Sequence, residues 1–148
     1  MTRVAVIGAG IVGAAIALAL ARRGAGVTMI DAGGARASEN SFGWINASWF
    51  NRPDYFRLRH QAMAAWRRWQ GTVPGLAPNW TGGLLWELDD PALDAFVEGH
   101  GAMGYAIRLV TRDEIRRLEP ALADPPARAA LAPQEGWVDA GRAAAALR

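Results

Sequence analysis

The 148-residue chain is 51% apolar and 20% charged, the balance of a globular protein with a soft prior of one domain and a real core. It has no Cys, and all 16 basic residues are Arg, which excludes disulfides, thiolate nucleophiles, cysteine metal sites, a Schiff-base lysine and the lysine of a P-loop. The net charge of +2 is uneven: residues 1–70 hold nine Arg against Asp31, Glu39 and Asp54, and residues 71–148 hold seven Arg against eleven acids. A basic first half suits an anionic ligand, and it equally suits a solvated Arg-rich surface. Arg57, Arg59, Arg67 and Arg68 share a helical stretch with Trp66 and Trp69, but no nucleic-acid motif accompanies them, so no nucleic-acid partner is expected. With only His60 and His100 to offer imidazole, no metal site is expected either.

The chain opens on "VAVIGAGIVGAAIALALA", Val4 to Ala21, 18 residues without a charge. That length lies at the lower edge of what spans a bilayer, so hydropathy alone leaves a membrane segment open. Period and glycine spacing separate the two readings. Val4 to Ile7 is a short β-branched run, the pattern of a strand buried on both faces of a parallel sheet. Gly8, Gly10 and Gly13 follow at G-x-G-x-x-G, which an anchor helix does not require. Ile11 to Arg23 then reads as a helix rich in Ala and Leu, with Arg22 and Arg23 at its negative end and Gly24 as a left-handed stop. "GVTMID", Gly26 to Asp31, reads as a second strand and closes a βαβ unit of about 30 residues, the context the motif needs.

The chemistry explains the spacing. Gly8 permits the tight turn, Gly10 admits a pyrophosphate against the backbone, and Gly13 lets helix and strand pack closely, so that phosphates meet the free N–H groups of Ile11 and Val12 at a helix N-terminus. Asp31 stands 18 residues after Gly13, where a carboxylate can accept from ribose hydroxyls and disfavours a 2′-phosphate. Dinucleotide binding is the expectation, without a membrane span.

A classical NAD dehydrogenase continues into another helix and a third apolar strand. Here "AGGARASENSFGWINASWFNRP" intervenes, with neither helical nor strand period, before a helix from Pro53 to Gln70 that starts on Pro53 and Asp54 and carries Phe56, Met63, Trp66 and Trp69 on one side. Further on, Trp80 to Leu88 reads as a strand, Pro91 to Gly99 as a helix, and Tyr105 to Val110 as a strand. Thr111 to Leu118 reads as a helix with a capping box between Thr111 and Glu114. Pro120, Pro125, Pro126 and Pro133 break the stretch between that helix and Gln134. "EGWVDAGRAAAALR" offers a brief strand and the start of a helix. The seven Trp are expected mainly in the core, and both His at the surface or at hydrogen-bonded helix ends.

"VAVIGAGIVGAAIALALARRGAGVTMIDAG", "ASENSFGWIN", "TGGLLWE", "IRRLEPAL" and "EGWVDAGRAAAAL", in that order, resemble the FAD-dependent oxidoreductases of the D-amino acid oxidase, glycine oxidase and sarcosine oxidase family. The resemblance implies FAD as cofactor and an α/β fold: a Rossmann-like FAD-binding portion over residues 1–75, part of a substrate-domain sheet over 76–135, and a return to the FAD-binding domain over 136–148. It implies Ser38 and Ser41 on the phosphate side of the flavin, and Gly43, Trp44 and Ile45 beside the isoalloxazine. Asp31 replaces the family's more usual Glu but keeps the carboxylate. The implied reaction is hydride transfer to flavin from an amino acid or related amine in the cytoplasm.

Two parallel strands are few for a sheet apolar on both faces. The family's carboxylate-binding Arg and its second glycine-rich flavin motif have no counterpart in the chain, and no residue can be assigned as the general base. The expectation is therefore a fragment: a truncated gene, a split frame, or the first piece of a protein whose missing half comes from a second polypeptide. A non-catalytic dinucleotide-binding remnant and an NAD-dependent dehydrogenase are the competing readings.

Overall fold

The computed structural model describes residues 1–34, 37–49 and 52–148. Ala35, Arg36, Phe50 and Asn51, inside the stretch expected as loop, lie outside the described residues. The chain divides into two compact units, one of Met1–Ile45, Gln61–Asn79 and Trp137–Arg148, the other of Asn46–His60 and Trp80–Gly136.

In the first unit, β1 (Arg3–Ile7), α1 (Ile11–Ala21) and β2 (Gly26–Ile30) form the expected βαβ unit, the strands parallel and in register from Arg3 beside Gly26 to Ile7 beside Ile30. The apolar β-branched run pairs along a sheet, and the Ala-rich run after it has the propensity to coil. α1 ends at Ala21, two residues before the expected Arg23. Ala25 N–H donates to Leu20 O at 3.1 Å and Gly24 N–H to Ala21 O at 2.9 Å, a Schellman stop with Gly24 at φ +82°. Arg23 lies beyond the helix yet donates to Ala19 O at 3.3 Å, so it still serves the last carbonyls.

Contrary to expectation, β1 is not buried on both faces: Val6 is buried, but Arg3, Ala5 and Ile7 are exposed, with Ile7 85% and its register partner Ile30 53% accessible. α1 covers one side of the pair and packs in turn against α5 (Ala140–Leu147). The described residues of this unit leave the opposite face uncovered.

The stretch expected to lack regular structure contains a short 3-10 turn, Ala37–Asn40, and β3, Trp44–Ile45. α2 runs Pro53–Gln70, as expected, and its residues from Gln61 onward belong to the first unit. Val138 N–H donates to Gly43 O at 3.0 Å, and Asn79 and Trp137 exchange backbone bonds of 2.8 and 2.9 Å. Asp139 caps α5 by accepting from Arg142 N–H at 2.9 Å.

The second unit is built on a three-stranded antiparallel sheet in the order β4 (Gly83–Leu85), β6 (Arg128–Ala132), β5 (Arg108–Thr111). The central strand β6 was not expected from the sequence, and it pairs with both neighbours: Leu85 opposes Ala130 on one side and Val110 opposes Ala129 on the other. β4 is shorter than the expected Trp80 to Leu88 because it pairs only where β6 lies opposite it, at Gly83, Leu84 and Leu85. Val110, Ile115, Ala129 and Leu131 form a core with Leu84 and Leu122 packed on it.

Asp89 caps α3 (Asp90–Ala102), accepting from Ala92 N–H at 3.0 Å. The capping box expected at Thr111 does not form: Thr111 precedes α4 (Arg112–Leu118) without a side-chain bond, and the Glu114 carboxylate pairs with Arg108 instead. An arginine already aimed at Glu114 from β5 outcompetes the weaker reach back to a backbone N–H. A two-residue strand β7, Gly136–Trp137, precedes α5.

Candidate dinucleotide-binding turn

The glycine turn lies in the first unit, between the end of β1 and the start of α1. Gly8 adopts φ +96°, a conformation costly for any residue with a Cβ, and its N–H is fixed by Ile30 O at 2.8 Å. Gly10 is the extended residue before α1, at φ −67° and ψ 178°, and has no side chain to cap it. Ser38 supplies the cap from 27 residues away: Ile11 N–H donates to Ser38 Oγ at 3.0 Å. Gly13 is the point of closest packing, since a Cβ there would stand 1.9 Å from Gly8 O and 3.6 Å from Val6 Cγ1.

Asp31 follows directly on β2 and turns back to the same place. Its Oδ2 accepts from Ala9 N–H at 2.8 Å and its Oδ1 from Gly33 N–H at 2.9 Å. From the C-terminal side of α5, Arg148 donates to Ala9 O at 3.3 Å. The structure thus brings Gly8, Gly10, Ile11, Gly13, Asp31 and Ser38 together by direct bonds and packing. Val12, 70% accessible on the first turn of α1, faces outward.

The other four expected residues bond elsewhere within the unit. Ser41 Oγ accepts from Gly43 N–H at 3.1 Å. Gly43 sits at φ +61°, and a Cβ there would lie 2.3 Å from Val138 O, so the backbone of Val138 packs where a side chain would start. Trp44 is half-buried and stacks on Phe42 at 6.4 Å between ring centroids, and Ile45 is buried.

The turn brings backbone N–H groups together at a helix N-terminus. α1 carries no acidic side chain in its first turn; Ser38 Oγ caps Ile11 N–H, and the Asp31 carboxylate at the turn is engaged by Ala9 N–H. Among the described residues, a Cβ added at Gly10 would find only Ser38 Oγ, at 3.4 Å, which leaves room beside the backbone. These features fit the pyrophosphate of a dinucleotide: N–H donors at a helix end, a hydroxyl beside them, and a glycine that clears the approach.

The second unit holds a polar cluster that the sequence did not announce. Glu135 is fully buried, and its Oε1 accepts from Ala47 N–H at 3.2 Å, Ser48 N–H at 3.1 Å and Tyr105 Oη at 2.7 Å. Burial, with the carboxylate of Glu135 next in importance, pushes the Tyr105 phenol far above its ordinary range. Arg59 donates to Trp49 O at 2.8 Å and also bonds the Asn46 side chain, so the segment Asn46–Trp49 is held from several sides. His100 is buried at the end of α3 with Nδ1 2.8 Å from Phe96 O, a hydrogen-bonded helix-end residue as expected. His60 is exposed on α2 and stacks on Phe56.

A parallel βαβ unit with this turn defines a dinucleotide-binding protein. The model of the FAD dependent oxidoreductase family matches residues 3–148, and the chain belongs to that family; its cofactor is FAD. No curated protein matches the chain. Among solved structures it is similar to L-proline dehydrogenase from P. horikoshii, at 26% identity and a TM-score of 0.83 over 99% of this chain and 40% of that one. It is similar to glycine oxidase from Geobacillus kaustophilus at 28% identity and a TM-score of 0.79, covering 99% and 44%. Iminodiacetate oxidase from Chelativorans follows at 27% and 0.77, covering 97% and 42%. The chain therefore spans less than half the length of each of these relatives. Among the described residues, no helix is long and apolar enough to cross a membrane and no cluster of His, Cys, Asp or Glu suits a metal ion.

Proposed function

We propose that the chain holds the ADP end of FAD in an oxidoreductase that oxidises an amino acid or related amine, of the D-amino acid, glycine or sarcosine type. The observation that carries the reading is the open glycine turn at the N-terminus of α1, found in a chain that a flavoenzyme family matches almost from end to end. The small-molecule substrate class is supported by the similar proteins, whose names specify proline, glycine and iminodiacetate, each an amine next to a carboxylate.

In this reading the N–H groups of Ile11 and Val12 and the Ser38 hydroxyl bind the pyrophosphate, Asp31 accepts from the ribose, and Ser41, Gly43, Trp44 and Ile45 line the way towards the flavin. Bound FAD supplies the hydride acceptor, while the protein's part is to orient the reactants and exclude water. A second polypeptide is part of the proposal. Further parallel strands would pair at the edges of β1 and β2, and helices laid on the face that exposes Ile7 and Ile30 would bury its apolar surface.

The test uses affinity-tagged protein recovered from its own cells together with whatever accompanies it. After FAD loading, anaerobic addition of glycine, sarcosine, proline or D-alanine is expected to bleach the flavin absorbance with at least one of them. A flavin-loaded preparation bleached by dithionite but by none of these amines would refute the substrate class.

A further inference from the structure

Ala9 is buried in the middle of the turn, after the last ladder bond of β1 and before the first helical bond of α1. Its N–H belongs to neither element, and a buried N–H without an acceptor is costly. The Gly8 N–H beside it is taken by Ile30 O. Asp31 Oδ2 supplies the acceptor for Ala9 at 2.8 Å, in a charge-assisted bond. The carboxylate is itself braced, because Oδ1 accepts from Gly33 N–H two residues on, the geometry of an Asx turn. Gly33 thus orients Asp31, and Asp31 orients Ala9. Each carboxylate oxygen can accept more than one bond, so ribose hydroxyls can still reach it.

We propose that Asp31 is a positioning residue for the glycine turn: by holding Ala9 N–H it presents Gly10 and Ile11 to a pyrophosphate, whether or not the ligand has ribose hydroxyls. The inference rests on the dinucleotide reading of this turn. An acceptor that only bound ribose would have no effect on a nucleotide lacking those hydroxyls. Asn at position 31 is the discriminating change, because its carbonyl can serve one of the two N–H groups while its NH2 confronts the other with a second donor.

The experiment measures binding of ADP and of 2′,3′-dideoxy-ADP to the full chain by calorimetry, in wild type and in Asp31→Asn, together with hydrogen exchange of the Ala9 amide without nucleotide. Asp31→Asn is expected to weaken dideoxy-ADP by about tenfold or more, as for a charge-assisted bond, to weaken ADP by at least as much, and to speed Ala9 exchange. Weakening of ADP alone, with dideoxy-ADP unchanged, would overturn the proposal, and so would no weakening of either. If Asp31→Asn does not fold by circular dichroism, Asp31→Glu serves: it keeps the charge but displaces it by one methylene, and the same two patterns decide. A wild type that binds neither nucleotide overturns the dinucleotide reading. In that case Ala9 exchange decides the turn-holding role alone, faster exchange in the variant supporting it and equal exchange overturning it.

Discussion

Gly13→Ala separates a glycine needed for folding from one needed for the ligand. The new Cβ would stand 1.9 Å from Gly8 O and 3.0 Å from Gly8 C. A carbon–oxygen contact normally closes to about 3.3 Å, so α1 must retreat from the turn by roughly 1.4 Å. Backbone obstructs it and cannot swing aside, which places the overpacking cost near the upper end of the usual range, about 3 kcal/mol. Replacing glycine inside a helix returns about 1 kcal/mol through propensity, leaving about 2 kcal/mol of net destabilisation. For a chain of this length that lowers Tm by roughly 4–8 °C. The assay is thermal and urea unfolding of the two proteins, with Gly10→Ala as the control. At Gly10 the added Cβ meets, among the described residues, only Ser38 Oγ at 3.4 Å, with φ negative, so Tm is expected to stay within about 2 °C while FAD binding weakens. A Gly13→Ala protein as stable as wild type would refute the packing argument.

Gly10→Val is expected to weaken FAD binding more than Asp31→Asn does, because a branched side chain fills the approach to the N–H groups of α1; equal affinities for Gly10→Val and wild type by fluorescence titration would remove the turn from the site. Glu135→Ala removes the carboxylate oxygen that accepts from Ala47 N–H, Ser48 N–H and the Tyr105 hydroxyl in a buried cluster, and urea unfolding should report a loss of about 3 kcal/mol or more. The Tyr105 phenol, held above its ordinary value by burial and Glu135, resists ionisation in the folded chain, whereas in the unfolded chain it ionises near pH 10. Its contribution is therefore fully present below about pH 10 and lost as pH rises beyond it. Stability measured by urea between pH 8 and 11.5 should fall at the alkaline end, and less steeply in Tyr105→Phe.

The βαβ unit was legible because hydrophobic period changes from strand to helix at the glycines, and α2 because Pro53, Asp54 and an apolar side at helical spacing mark it. β6 was not. "RAALA" contains no β-branched residue and reads as helix former, yet Ala129, Ala130 and Ala132 are completely buried between β4 and β5. Its strand state comes from two neighbours and from small side chains that let both sides pack, information absent from the segment itself. Thr111 and Glu114 had the spacing of a capping box, but Arg108, whose nearness depends on the antiparallel sheet, took the carboxylate.

At the site, the motif pointed to Gly8, Gly10, Gly13 and Asp31. The long-range bond from Ile11 N–H to Ser38 Oγ depends on how the loop returns; the family resemblance implied Ser38 on the phosphate side of the flavin but not this bond. Glu135 carried no signal at all, since a carboxylate beside Pro133 and Gly136 reads as a surface turn. The close approach of the Val138 carbonyl to Gly43 is a contact between segments far apart in the chain, which no local spacing announces.

The central claim is that the turn between β1 and α1 holds FAD, and thermal unfolding with added dinucleotide tests it most directly. At a free concentration 100 times Kd, a ligand that binds only the folded chain stabilises it by about 2.7 kcal/mol, which corresponds to roughly 5–11 °C in Tm at this length. FAD is expected to give such a shift, NAD little or none, and Gly10→Val to abolish it. A chain whose Tm is unmoved by saturating FAD, or is raised as much by NAD, would contradict the account.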